Sequence, residues 1–251
     1  MCALTLPDRT TKPRSYGITS IQDKGLNTGE LENILKDFHP FVDIAKMSIG
    51  TAYLTPRIEE KLKLYQQYDV IVYFGGTLFE KYYYQNKLEE YLNYLKTHNI
   101  KWIEVSNGTT DISLDERTEL IQDLSDNFNI LAEVGCKDSH VNLPPSEWMK
   151  EIQSLIEAGA NFVITEGRGS GTAGIYNENG TIRTDLISDI ISKIDTKKLI
   201  FETPKSKHQN YMINHVGTNV NLGNILPHDV LLVETQRVGL RNETFFLGQN
   251  D

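Results

Sequence analysis

Eight short apolar runs recur along the chain, separated by segments with a helical spacing of apolar residues. The apolar runs are residues 15–21, 41–47, 70–74, 102–106, 130–134, 162–166, 199–203 and 219–225. The intervening segments carry apolar residues three and four positions apart, which is typical of amphipathic helices. Strand and helix alternating eight times predict parallel strands joined by crossover helices.

The number of these strand–helix units favours one architecture. At 251 residues, the chain fits an α/β fold of the TIM type, a (β/α)8 barrel of parallel strands. No GxGxxG motif follows the first strand, which weakens the alternative of an open, doubly wound sheet. We predict one barrel domain over residues 1–251, with residues 1–14 and 247–251 as flexible termini. Functional groups should lie where strands end and βα loops begin.

Four glutamates lie near the ends of apolar runs, and therefore near the predicted functional rim. They are Glu104, Glu133, Glu166 and Glu202, spaced about one strand–helix unit apart. An ionised carboxylate in an apolar strand costs free energy unless a cation meets it. The four acids therefore predict a metal site, a cationic ligand or internal Lys and Arg partners.

Other polar residues follow the same predicted strand ends. The candidates for ligand contacts are Lys46, Gly76, Thr77, Ser106, Asn107, Arg168, Asn221 and Asn224. The glycines of the Gly75-Gly76-Thr77 segment fit either a backbone cradle for phosphate or a tight turn with positive φ. Near the C-terminus, Glu234, Arg237 and Arg241 have helical spacing. That spacing fits a surface ladder of ion pairs or two arginines that hold a carboxylate or phosphate.

Composition excludes several classes of protein. A hydrophobic content of 39% with a mean hydropathy of −0.37 is typical of a globular protein with a core. The net charge of −9, without basic stripes, argues against nucleic acid as a partner. No apolar run approaches the roughly 18 residues needed to cross a membrane. The two cysteines, Cys2 and Cys136, fit a reducing compartment, so we expect a cytoplasmic location.

The six histidines of the chain show no zinc-binding spacing, and no nucleophile-elbow motif is present. Hydrolase and zinc-enzyme interpretations are therefore disfavoured. Carboxylates together with Lys and Arg remain, and this set suits Mg²⁺ with a phosphorylated or carboxylated substrate.

Taken in order, the strand-end segments resemble those of the phosphosulfolactate synthase family. The similar segments are KxxxGT (46–51), GGTLFE (75–80), IEVSNGT (103–109), EVGCKD (133–138), EAGANFVITEGR (157–168), IFETP (200–204), NVNLGNI (219–225) and GLRNETF (239–245). The resemblance runs from DKG at 23–25 to this last segment, over nearly the whole chain.

The resemblance implies a Mg²⁺-dependent addition of sulfite to C3 of phosphoenolpyruvate in a homo-oligomeric barrel. The product would be 2-phospho-3-sulfolactate, formed through an enediolate that a lysine protonates at C2. By this resemblance Lys137 is the general acid, and Arg168 acts beside it. Glu104, Glu133 and Glu166 become the metal candidates, and Glu202 orients a neighbouring cation. Lys46, Arg168 and Arg241 would meet the phosphate, carboxylate and sulfite charges.

Several positions depart from the family pattern, and two of these changes remove bulk. Ile49 stands where the family has tryptophan, and Gly169 stands where it has glutamate. If both line the pocket, the site is larger and less negative than that of the family. The departures leave two alternatives open: a sister lyase that accepts a larger nucleophile, and a non-catalytic barrel with a binding or stress-related scaffold role.

Overall fold

A computed structural model describes residues 4–135 and 143–248 of the chain. Eight strands form a closed barrel in which each strand pairs in parallel with the next, and the last pairs with the first. The strands are Thr19–Asp23 (β1), Ile44–Met47 (β2), Ile71–Phe74 (β3), Trp102–Val105 (β4), Asn129–Val134 (β5), Phe162–Thr165 (β6), Leu199–Glu202 (β7) and Leu222–Ile225 (β8). The predicted (β/α)8 barrel is confirmed.

Helices follow each strand and surround the barrel. Those of the described residues are Thr28–Phe38 (α1), Thr51–Leu54 (α2), Ile58–Gln67 (α3), Gly76–Tyr84 (α4), Leu88–Thr97 (α5), Leu114–Ser125 (α6), Pro145–Glu157 (α7), Thr184–Lys193 (α8), Ser206–Val216 (α9) and Val230–Arg237 (α10). None of these is both long and apolar enough to cross a lipid bilayer.

Helix α4 forms where the local helix propensity is low. It begins at Gly76 and ends in three tyrosines, and these residue types have modest helix propensity. Tertiary packing compensates, because Phe79 and Tyr82 make aromatic contacts with Tyr91 of α5. Ring centroids lie 6.1 and 5.3 Å apart in these two pairs.

The barrel interior is divided into an apolar part and a charged part. Side chains two positions apart on a strand share a face, and four strands each carry an apolar residue two positions before a charged one. These pairs are Ile44 and Lys46, Leu131 and Glu133, Ile164 and Glu166, and Ile200 and Glu202. The four apolar residues pack together with Ile18 and Tyr73. The charged residues therefore lie above this plug, toward the carboxyl ends of the strands.

The segment before β1 is bound to the amino-terminal end of the barrel, opposite the charged part. Arg9 Nε lies 2.9 Å from Glu234 Oε1, and Arg14 Nη1 lies 3.0 Å from Asp43 Oδ1. The backbone N–H of Thr10 donates to Asn219 Oδ1 at 3.0 Å. The prediction of a flexible terminus is therefore wrong for residues 9–14, because buried acids and an amide bind this segment.

Candidate active site

The mouth of the barrel holds one lysine ammonium among three carboxylates. Lys46 Nζ lies 3.0 Å from Glu104 Oε2, 3.4 Å from Glu202 Oε1 and 3.6 Å from Glu133 Oε2. The lysine side chain is 11% exposed and the carboxylate side chains are at most 4% exposed. Since these residues come from β2, β4, β5 and β7, barrel closure is what brings them together.

These carboxylates fix the protonation state of Lys46. Burial alone would lower the pKa of Lys46, but the negative charges of Glu104, Glu202 and Glu133 outweigh it and hold that pKa well above its ordinary value. Burial also raises the pKa of the neighbouring Tyr73 phenol well above its ordinary value. Lys46 is thus a permanent cation beside a neutral phenol.

Backbone N–H groups hold the second oxygens of two of these acids. Gly76 N donates to Glu104 Oε1 at 2.8 Å, and Gly167 N donates to Glu202 Oε2 at 3.0 Å. Gly76 is the first residue of α4, so the positive end of the helix also faces Glu104. A Cβ at Gly76 would overlap Ser106 Oγ and Glu104 Oε1. The glycine is needed for close approach to an anion, and that anion is the protein's own Glu104.

Glu166 lies on the same rim, directly after β6. It is 1% exposed, and the backbone N–H of Arg168 donates to its Oε1. Arg168 has a left-handed φ of 54°, and its side chain is exposed. The main chain of Arg168 therefore binds Glu166, while its guanidinium extends toward solvent.

Glu80 organises the loop after β4, and the sequence analysis did not select it. This glutamate is 1% exposed and accepts hydrogen bonds from Ser106 Oγ at 2.8 Å, Thr109 N at 2.6 Å and Thr110 N at 2.7 Å. Ser106, predicted to contact substrate, thus anchors the loop. The available signal was an acid within the otherwise apolar and aromatic stretch LFEKYYY.

Two of the predicted ligand-binding residues carry buried amides in the same region. Asn107 follows β4 and Asn224 lies near the carboxyl end of β8 with a left-handed φ of 54°. The Oδ1 atoms of both are buried and accept no hydrogen bond from the described residues. Both amides are positioned to bind a ligand, and their role stays a prediction.

Thr77 and Ile49 lie beside the charged cluster rather than within it. Both line a groove of about 500 Å³ that also includes Tyr53, Leu54 and Tyr84. Ile49 is 69% exposed and has a left-handed φ of 58°. The departure from the family at Ile49 therefore alters the outer surface beside the mouth.

Asn221, a predicted substrate contact, lies at the opposite end of the barrel. Its Oδ1 accepts a hydrogen bond from Ile18 N at 3.0 Å, and its Nδ2 donates to Leu199 O at 2.7 Å. All three residues lie at the amino ends of their strands. The amide therefore joins β7, β8 and β1, so assigning Asn221 to substrate was wrong.

Arg241 is also remote from the mouth. It follows α10, whose last residue, Arg237, donates to Val220 O at 2.7 Å and Ile18 O at 3.0 Å at the amino-terminal end. Arg241 itself is 2.9 Å from Glu243. Glu234 pairs with Arg9, so these contacts match neither an ion-pair ladder among the three residues nor an anion site at the mouth.

The charged mouth fits Mg²⁺ in its donor chemistry. Its acids are carboxylates, which are oxygen ligands of the kind that Mg²⁺ prefers. Among residues 4–135 and 143–248, no three His, Cys, Asp or Glu side chains are placed to hold a metal together. Mg²⁺ commonly binds one or two carboxylates and completes its shell with water and substrate. Glu104, Glu133 and Glu166 are the metal candidates from the sequence, and their role as ligands stays a prediction.

The predicted general acid, Lys137, lies outside the residues that the structure describes. Gly169 lies in the loop after β6, and its nearest non-neighbouring atom from an added Cβ would be Lys24 Nζ at 3.5 Å. A side chain longer than alanine at this position would therefore approach the ammonium of Lys24.

Comparison with known proteins gives a consistent result. The family model described as (2R)-phospho-3-sulfolactate synthase (ComA) matches residues 7–243. A phosphosulfolactate synthase of Bacillus subtilis (strain 168) is 42% identical over 248 residues, covering 98% of each chain. A phosphosulfolactate synthase of Methanothermobacter thermautotrophicus is 36% identical over 244 residues, covering 95% of each chain.

Solved structures resemble the chain in fold only. A 3-hexulose-6-phosphate synthase has a TM-score of 0.56 at 10% identity, covering 87% of this chain and 98% of its own. The YdjI aldolase from Escherichia coli K12 has a TM-score of 0.55 at 12% identity, covering 89% and 86%. Both similarities support the barrel architecture.

Proposed function

The chain belongs to the (2R)-phospho-3-sulfolactate synthase family, and we propose that it adds sulfite to C3 of phosphoenolpyruvate. The sulfur lone pair forms the C–S bond, and the π electrons of the enol move to C2 and on to the carboxylate. A proton delivered to C2 completes 2-phospho-3-sulfolactate, and no bond to phosphate breaks. The observation that carries this proposal is the fixed ammonium of Lys46 within the acidic mouth.

Lys46 would supply positive charge to this reaction. Two anions must meet, and the intermediate gathers further negative charge beside the substrate carboxylate. A cation held in a water-poor pocket stabilises such charge without reorganising. Because its pKa is held high, Lys46 is a poor proton donor. The proton for C2 would come from Lys137, as the resemblance implies.

We further propose that the reaction depends on Mg²⁺ held by carboxylates among Glu104, Glu133 and Glu166, with water and substrate completing the shell. When bound, the ion would add positive charge next to the substrate carboxylate. Glu104 and Glu202 would orient Lys46, since both accept a backbone N–H and contact the ammonium. The exposed guanidinium of Arg168 would meet an anionic group of the substrate at the rim.

Two wider expectations remain part of the proposal. The two cysteines and the absence of a bilayer-crossing helix in the described residues support a cytoplasmic enzyme. The family resemblance supports a homo-oligomer.

The test is to incubate the purified protein with phosphoenolpyruvate, Mg²⁺ and sulfite and to analyse the products by mass spectrometry. We expect phosphosulfolactate, and we expect EDTA to abolish its formation. Lys137→Ala should remove turnover while phosphoenolpyruvate with Mg²⁺ still raises the melting temperature. Turnover that survives in Lys137→Ala would overturn the assignment of the acid.

The two alternatives give different results in the same experiment. A sister lyase would be stabilised by phosphoenolpyruvate and Mg²⁺ but form little product with sulfite. A non-catalytic barrel would show neither product nor stabilisation. Either result would exclude the proposed reaction.

A further inference from the structure

The loop after β6 faces the end of β1 at Gly169. The nearest non-neighbouring atoms to a Cβ built on Gly169 would be Lys24 Nζ at 3.5 Å and the two amide atoms of Gln22 at 3.9 Å. These are ordinary van der Waals distances, and the φ of Gly169 is outside the left-handed region. Neither packing nor backbone conformation therefore requires glycine here. Glycine leaves only the small space of an absent methyl group, and Lys24 and Gln22 converge on that space.

Lys24 faces this space with its charge uncompensated. Its side chain is exposed, and no carboxylate in residues 4–135 or 143–248 forms an ion pair with it. Neighbouring Asp23 is occupied elsewhere, because its Oδ2 lies 2.6 Å from Lys61 Nζ. Lys24 thus differs from Lys46, whose charge three acids share.

A buried amide lines the same space. Gln22 is 7% exposed, and its Oε1 accepts no hydrogen bond from the described residues. Leaving a buried polar atom without a partner costs about 1–3 kcal/mol, so a bound ligand is a natural partner. The nitrogen and oxygen of a glutamine can exchange places by rotation of the amide, which lets Gln22 donate to an anion.

The space adjoins the charged cluster of the mouth. Gln22 on β1 pairs in register with Lys46 on β2. The loop that carries Gly169 follows β6 and meets Lys24, which directly follows β1. Lys24 and Gln22 therefore lie at the carboxyl ends of the strands, beside the charged cluster.

We infer that Lys24 and the Gln22 amide, across the open face of Gly169, form a subsite for a tetrahedral oxyanion. An ammonium and an amide N–H are the donors that such an anion needs. The subsite fills the position for which Arg241 had been the candidate. Naming its occupant as the phosphate group or the sulfite rests on the proposed function, but binding of an oxyanion does not.

The first measurement tests the binding of anions and does not depend on catalysis. Calorimetry should be performed with inorganic phosphate and with sulfite on wild type, Lys24→Met and the control Lys36→Met, an exposed lysine in the last turn of α1. We expect the dissociation constant of at least one anion to rise about tenfold in Lys24→Met, since about 1.4 kcal/mol of charge-assisted binding is lost. Lys36→Met should bind as wild type does. Equal binding by all three proteins would overturn the subsite.

A substitution pair at Gly169 separates charge from volume. Gly169→Ala adds a Cβ that the space accepts, and it should bind anions within about twofold of wild type. Gly169→Glu brings a carboxylate to Lys24 and should weaken binding as much as Lys24→Met does. If alanine weakened binding as strongly as glutamate, the effect would be steric and the inference wrong.

Steady-state kinetics then identifies the occupant. In Lys24→Met we expect KM to rise about tenfold for either phosphoenolpyruvate or sulfite, with kcat within about threefold. A fall in kcat at constant KM would contradict a binding role. If wild type gave no product yet showed Lys24-dependent oxyanion binding, the proposed function would fail and the subsite would stand. If wild type formed product but its oxyanion binding did not depend on Lys24, the subsite would be wrong and the proposed function would stand.

Discussion

The two ends of this barrel both bury charge, but they satisfy it with different partners. At the amino-terminal end, Arg237 donates to the backbone carbonyls of Ile18, Thr218 and Val220 at 2.7–3.0 Å. At the carboxyl-terminal mouth, Lys46 contacts carboxylates from other strands. Carbonyls that belong to the main chain of the barrel close the first site, whereas the second gathers charged side chains from several strands at their carboxyl ends.

This contrast separates a cation that closes the barrel from one for which we propose a role in the reaction. Arg237 is fully buried and serves the closure between β8 and β1. The mouth instead gathers acids around Lys46, and the amide oxygens of Gln22 and Asn224 accept no hydrogen bond from the described residues. Charge near a strand end is therefore weak evidence of function until its partners are known.

The strongest test of the contrast is Lys46→Met, which removes the cation of the mouth. We expect kcat/KM for phosphosulfolactate formation to fall about 10³-fold, or about 4 kcal/mol of transition-state stabilisation. Circular dichroism and a melting curve should show that the variant is folded. Activity within tenfold of wild type would mean that Lys46 is merely structural, like Arg237.

At the amino-terminal end, we expect Arg237→Met to lower the stability of the fold and to leave the activity unchanged. Loss of the guanidinium leaves buried carbonyls without donors, so the free energy of unfolding in urea should fall by about 3 kcal/mol. Turnover per folded molecule should be unchanged. Arg241→Met is the matched control, because its guanidinium is exposed and pairs only with Glu243, and its unfolding curve should coincide with that of wild type. A loss of turnover in folded Arg237→Met would break the contrast.

Lowering the pH should reduce the free energy of unfolding through His208, which lies on the mouth side of the barrel. This histidine is fully buried, stacks on Tyr176 with ring centroids 4.0 Å apart, and lies in the first turn of α9. Burial lowers the pKa of His208 to about 4, whereas the same side chain in the unfolded chain binds a proton near pH 6.5. The contribution of neutral His208 to the free energy of unfolding is therefore complete above pH 6.5 and is lost as the pH falls toward 4.

We expect His208 to reduce the free energy of unfolding by about 2 kcal/mol between pH 7 and pH 5. His208→Gln should flatten this part of the pH profile, whereas a substitution of exposed His228 should leave it unchanged. Urea unfolding at pH 5, 6 and 7 measures the difference. An equally steep profile in His208→Gln would assign the acid sensitivity to other groups.

Much of the site could be located from the sequence, but its internal contacts could not. The four glutamates were placed near strand ends by their spacing, and all four are buried. Asn221 and Asn224 have similar sequence surroundings and lie three positions apart. The structure nevertheless places the first amide before β8, at the amino-terminal end of the barrel, and the second near the carboxyl end of that strand. Glu80 was overlooked because its importance lies in the loop that folds onto it.

The sequence by itself determined the eight strands, their alternation with helices and the rim on which acids would collect, because strand periodicity is a local property of side chains. It also carried the family resemblance. Only the tertiary structure decided which charges meet, since Lys46 reaches Glu104, Glu133 and Glu202 through closure of the barrel. Closure likewise brought Gly169 close to Lys24, which is far from it in the chain, whereas the family resemblance had shown only a missing acid at this position.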